Sequence, residues 1–271
     1  MKINIQIDNQ TYSADLSQGK SIAITLLPGG DQPNHFEAPE CVSETLVAGD
    51  FIGNTNRGGS CNVNQLSIIP HCNGTHTESV SHIVNQLVPV YQAIEDSIFP
   101  CILITLQPIN ARDTDDSYLP CLDGVNRVIT RQQLEHSLTE YSDEQLRGLA
   151  IRTLPNDIEK KSQIYNNDHY PPFFTNDAMK YLVERKIEHL LVDFPSVDKM
   201  FDNGQLTNHR IFWNVIYKDK NLTSGSTINK TISEMVFVDN AIEDGFYLCN
   251  LQIPEINTDA VPSRPVLYRL K

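Results

Sequence analysis

Three short runs constrain the fold more than any other feature of the sequence: Pro100-Cys-Ile-Leu-Ile-Thr-Leu106, Leu149-Ala-Ile-Arg-Thr153 and His189-Leu-Leu-Val192. The first is nearly continuous in apolar residues, the pattern of a strand buried on both faces, and the second reads the same way. The third ends in Asp193-Phe-Pro195-Ser196-Val-Asp198, residue types suited to a sharp turn that aims polar groups into a cleft. Asp193 also fits a plain strand-end turn in which its carboxylate binds backbone. Helices alternate with these strands. Thr130 caps a predicted helix from Arg131, and Thr175 caps another with apolar spacing at Met179, Leu182 and Val183. A further helix is predicted within Ile83–Glu95, begun or interrupted by Pro89. Ile3–Ile7 and Ser21–Leu26 read as an antiparallel opening, whereas 27–62 and 155–174 read as loops. Phe36 and Phe51, in the first of these loops, are aromatics that could reach a ring-bearing substrate.

A chain of 271 residues with 40% hydrophobic and 20% charged content can bury a substantial core, and a single unit over 1–271 is expected. Its net charge of −13 argues against nucleic acid or an anionic membrane as partner, because phosphate binding relies on clustered Lys and Arg. The opening residues alternate apolar and polar, unlike a signal peptide, and no run approaches the ~18 apolar residues of a bilayer span. A cytoplasmic location is the expectation. Six dispersed cysteines without a C-x-x-C pair suggest reduced thiols. Gly19-Lys-Ser21 lacks the earlier glycine of a phosphate loop, and no G-x-S-x-G elbow occurs.

Chemistry concentrates in Pro70-His71-Cys72-Asn73-Gly74-Thr75-His76-Thr77-Glu78-Ser-Val-Ser-His82. Imidazole, thiolate and carboxylate are the side chains that bind divalent transition metals. Gly74 is expected to permit a tight turn among them. If the part after Gly74 is extended, His76, Glu78, Val80 and His82 share one face, because strand side chains alternate.

Gly74-Thr-His76-x-Glu78-x-x-x-His82 resembles the H-x-G-T-H-x-D-x-P-x-H signature of the metal-dependent cyclase/kynurenine formamidase family, with Glu78 for Asp and Val80 for Pro. Counted leftward from Gly74, the family's first histidine falls on Cys72. A longer P-H-x-x-G-T-H-T-E form fits Pro70–Glu78 without a gap and favours His71. His189–Asp198 is similar to the family's G-I-D-T-P-S-V-D run, and Leu149–Thr153 to a strand ending Ile-Arg-Thr-Gly, with Leu154 in place of that glycine. The similarity runs from about Asn62 to the C-terminus and is weak over 1–60.

This resemblance implies a swivelling β/β/α domain, a homodimer or higher assembly, and a site holding one or two divalent ions, zinc or alternatively manganese. Its ligands would be His71 or Cys72, His76 and Glu78 from one half, and His209 with Glu234, or its rival Asp239, from the other. Such ions activate water for attack on a small amide, an aryl formamide or a cyclic amide. His82, on the face of His76 and Glu78, is assigned proton transfer. A cysteine nucleophile at Cys72 is a further option. The departures from the signature keep open a member that binds a metal or ligand without catalysis.

Overall fold

The computed structural model describes residues 1–271. In chain order, the first half holds β1 (Lys2–Ile7), β2 (Gln10–Asp15), β3 (Lys20–Ser21), β4 (Asn34–His35), β5 (Val42–Thr45), β6 (Val47–Ala48), β7 (Phe51–Ile52), β8 (Asn64–Ser67), α1 (Pro70–Asn73), β9 (His76–Glu78), α2 (Val90–Ala93), β10 (Ile98–Leu106), β11 (Ile109–Asn110), β12 (Arg127–Ile129) and α3 (Arg131–Leu138). There follow β13 (Gly148–Thr153), β14 (Ile164–Tyr165), β15 (Phe173–Phe174), α4 (Asn176–Glu184), β16 (His189–Val192), α5 (Thr207–Phe212), β17 (Thr231–Glu234), β18 (Gly245–Asn250), β19 (Ala260–Pro262) and β20 (Val266–Arg269).

Nine strands form one sheet in the order β19-β9-β17-β16-β13-β10-β18-β20-β3. Its centre, β17-β16-β13-β10, is parallel, and every outer pairing is antiparallel. The three apolar runs are β10, β13 and β16, and alternation sends their side chains into two cores. Ile102, Ile104, Leu149, Ile151, Leu190 and Val192 pack beneath the helices against Leu134, Leu182 and Trp213. Cys101, Leu103, Ala150 and Leu191 pack on the other face against Ile22, Tyr247 and Leu267. Both faces are dry, which is why these strands carry no polar alternation.

The two capped helices form as expected. Thr130 and Gln133 make a reciprocal capping box, and Thr175 Oγ1 accepts from the Ala178 amide. Three local expectations are corrected. Of Ile83–Glu95 only the single turn α2 is helical, with Pro89 at its N-cap, where a missing N–H costs nothing. β1 pairs with β2 rather than with Ser21–Leu26, because Asp8 and Asn9 both take left-handed φ (51° and 61°) and close a two-residue hairpin. Ser21–Leu26 contributes only the end of β3, on β20, and a bridge from Ala23 to Val236. The 155–174 loop contains β14 and β15, and 27–62 contains four two- to four-residue strands. No helix is long and apolar enough to cross a membrane.

Candidate metal centre

The site lies on the helix-covered side of the sheet, at the carboxyl ends of the parallel strands, where open α/β sheets place their clefts. β9 is wedged between β17 and β19, and its register sets His76 opposite Glu234 and Glu78 opposite Ala260. Directly paired residues share a face, so His76, Glu78 and Glu234 converge. All three are buried. His209 reaches them from α5, above Trp213, whose ring lies 5.5 Å away. His71 arrives on α1.

Each of three histidines is held by one ring nitrogen and presents the other. His76 Nδ1 donates to the Gly74 carbonyl at 3.0 Å, which leaves Nε2 3.5 Å from Glu234 Oε2. His209 Nδ1 donates to Asp198 Oδ2 at 2.6 Å, and its Nε2 is 3.0 Å from Glu78 Oε1. His71 Nε2 donates to Asp259 Oδ2 at 2.9 Å, and its Nδ1 is 3.2 Å from Glu78 Oε2. Asp198 is itself fixed by the Tyr118 hydroxyl at 2.8 Å and the Asn208 amide at 2.8 Å. Glu234 Oε1 accepts from the Val197 amide at 2.9 Å.

Charge separates strongly across this cluster. Burial opposes ionisation of Glu78, but His82, His209 and His71 overcome it and hold the carboxyl well below its ordinary range. Burial likewise disfavours an imidazolium at His71, yet its hydrogen bond to Asp259 and the Glu78 carboxylate 3.2 Å away push it up to about 10. His209 rises for the same reasons, through Glu78 and Asp198. Even so, His76 Nε2 and Glu78 Oε2 are buried with no hydrogen-bond partner; His71 Nδ1 is near that oxygen but out of line. Native interiors rarely leave two such atoms in one cluster, and a cation held between them would satisfy both. Nitrogen and carboxylate donors suit a divalent transition metal, so the residues present fit the group expected.

The other residues singled out in the sequence fall as follows. Ligand atoms of His71 lie within 4.8 Å of those of His76 and Glu78, and separately of His82 and Asp259; Glu78, His82 and His209 make a third such group. Cys72 Sγ is in none of these groups, although the half-buried side chain lines the same cavity. The reason is α1: Pro70 starts a helical turn, so strand parity does not apply at residues 71 and 72. His82 reaches the cluster, but from a 3-10 turn over Val80–His82 rather than an extended strand, with Nδ1 3.8 Å from Glu78. Asp239 is exposed and caps its own turn, whereas Glu234 faces the histidines. Gly74 is extended (φ 168°), and an added Cβ would meet only Leu26 at 3.7 Å, so the expected tight turn is not what the glycine provides.

Asp193 accepts from the Thr153 amide and hydroxyl at 2.8 Å each and from Lys160 at 2.8 Å; it is structural. Phe51 lies in the β6–β7 hairpin, away from the site, and Phe36 lines the cavity. Sequence reasoning missed Asp259 and the orienting role of Asp198. Asp259 lies 188 residues from His71, and nothing local marks it. Asp198 closes the Asp193–Asp198 motif, a signal that was present.

A sequence profile of the Cyclase family matches residues 6–199. The chain belongs to the Cyclase family. It is 22% identical over 240 residues to the kynurenine formamidase of Bacillus mycoides (strain KBAB4), spanning 87% of this chain and 94% of that one. Among solved structures, an isatin hydrolase bound to the product analogue thioisatinate superposes with a TM-score of 0.62 at 14% identity, covering 94% of this chain and 93% of that one. A protein from Bacillus stearothermophilus described as a predicted metal-dependent hydrolase gives 0.60 at 16% identity, covering 93% and 98%. These likenesses confirm the mixed α/β Cyclase fold expected from the sequence.

Proposed function

We propose that this Cyclase-family chain is a divalent-metal-dependent hydrolase that opens a C–N bond at the carbonyl of a small amide, an aryl formamide or a cyclic aryl amide. The observation that carries the reading is the shared posture of His71, His76 and His209. Each spends one ring nitrogen on an oxygen other than those of Glu78 and Glu234 and turns the other toward one of these two carboxylates. That posture fixes tautomer and ring orientation in the way metal-ligating histidines require. The amide class is supported by the kynurenine formamidase and isatin hydrolase relatives.

His71, His76, Glu78, His209 and Glu234 would hold one or two ions, zinc or alternatively manganese. When bound, a divalent ion polarises a carbonyl and acidifies water. The remaining work falls to side chains. His82, half-buried at the open edge with its ring tilted against that of His71 at a centroid distance of 4.2 Å, takes a proton from the attacking water and delivers it to the leaving nitrogen. Asp259, 3.7 Å from His82 Nδ1, steadies that ring. A cavity of about 650 Å³ opens on the cluster and offers room for a small ring-bearing amide.

Purified protein is expected to carry tightly bound metal and to hydrolyse N-formyl aryl amines or cyclic aryl amides. Chelation should abolish turnover, and metal should restore it. Bound metal with no turnover on any such amide would leave the binding-protein reading. An assembly of two or more copies belongs to the same proposal, and light scattering tests it.

A further inference from the structure

One buried histidine in the cavity is left out of the ligand set. His35, at the end of β4, is 4% exposed, and its Nδ1 has no hydrogen-bond partner. It lines the same cavity as His71, His82 and His209. An unsatisfied buried nitrogen costs about 1–3 kcal/mol, so its retention calls for an explanation.

The backbone around His35 is costly as well. Phe36 and Glu37 both take left-handed φ (60° and 53°), which is unusual for non-glycine residues and rare for a bulky one. The turn is braced: Asn73 Nδ2, from α1, donates to the Pro39 carbonyl at 3.0 Å, and β4 pairs with β14. The result sets Phe36 against the His35 ring, with centroids 3.9 Å apart, and edge-on to Phe201 at 5.9 Å. Phe36 and Phe201 are 51% and 44% exposed, and both line the cavity.

We infer that His35 is a substrate-recognition residue: its imidazole hydrogen-bonds a polar substituent of the substrate, while Phe36 and Phe201 hold the ring that carries it. The ligand class is therefore an aromatic amide with a second hydrogen-bonding group away from the reacting carbonyl. The inference rests on the amide reading only for the choice of ligand, and its test reads binding rather than turnover.

Calorimetry on the metal-loaded protein would compare benzamide with its 2-, 3- and 4-hydroxy isomers. At least one isomer should bind about tenfold more tightly than benzamide, the worth of one good hydrogen bond. His35→Phe should erase that gain and leave benzamide affinity and metal content unchanged. His35→Gln, which keeps a polar atom, should retain part of it. On the unmutated protein, the preferred isomer should move the His35 ring-nitrogen resonance and benzamide should not, so the test survives a variant that fails to fold. Failure of wild type to bind any of the four, equal binding of all four, or an undiminished gain in His35→Phe would each overturn the inference. Absence of amide hydrolysis would instead count against the proposed activity alone.

Discussion

Glu78 and Asp193 are both buried carboxylates beside the nine-stranded sheet, yet their surroundings are opposite. Asp193 is saturated by Thr153 and by the Lys160 ammonium, and burial still raises its pKa. Glu78 is ringed by His71, His82 and His209, is held ionised, and keeps one oxygen unpaired. A closed network of this kind holds a fold together; an open one made of ligand-type atoms is built to receive something. Burial alone therefore does not mark a functional acid, but unmet valence within the burial does.

The sharpest test of that contrast is a matched pair. Glu78→Gln should lose bound metal and at least a hundredfold in turnover while the chain stays folded. Asp193→Asn should keep its metal and instead lose about 3 kcal/mol of stability, because Lys160 is left partly buried without a counter-charge. Elemental analysis and denaturant melts would read both, and an exchange of the two phenotypes would break the comparison. Next in size, His82→Ala should depress turnover about 10²- to 10⁴-fold and spare metal content. Equal loss of metal would make His82 a ligand.

A smaller effect sharpens the same lesson at the other end of the sheet. His189, at the start of β16, is buried, stacks on Phe99 with centroids 4.1 Å apart, and shares a hydrogen bond with Thr231. Burial pushes its pKa down to about 3. Above the ordinary histidine value of 6.5 both folded and unfolded chains leave it neutral, so it adds no pH dependence there. Between 6.5 and about 3 only the unfolded chain takes the proton, and stability should fall by up to about 1.4 kcal/mol per pH unit. His189→Asn should flatten that part of the acid limb, as urea melts at pH 4 and pH 7 would show; an unchanged slope would contradict the assignment. Smallest of all, Cys72→Ser should leave metal content within twofold, since its Sγ belongs to none of the clustered ligand-type groups.

What could be read from the sequence was what short-range physics writes there. Strands dry on both faces must be apolar throughout, and helix starts need oxygen caps, so β10, β13, β16, α3 and α4 were all legible. His71, His76, Glu78 and His82 lie within twelve consecutive residues, and a local motif carried them together. What could not be read was long-range register. Asp259 meets His71 only because β19 lies along β9, and Glu234 prevails over Asp239 because pairing sets it opposite His76. That His71 rather than Cys72 joins the cluster follows from a single helical turn at Pro70, which a strand-parity argument could not anticipate.

The most direct measurement is anomalous diffraction at the metal edge from crystals of the purified chain. The account predicts a peak within coordination distance, about 2.0–2.2 Å, of His71 Nδ1, His76 Nε2 or His209 Nε2 together with a carboxylate oxygen of Glu78 or Glu234. A metal-saturated crystal with no peak there, or with its ion bound elsewhere in the chain, would contradict it.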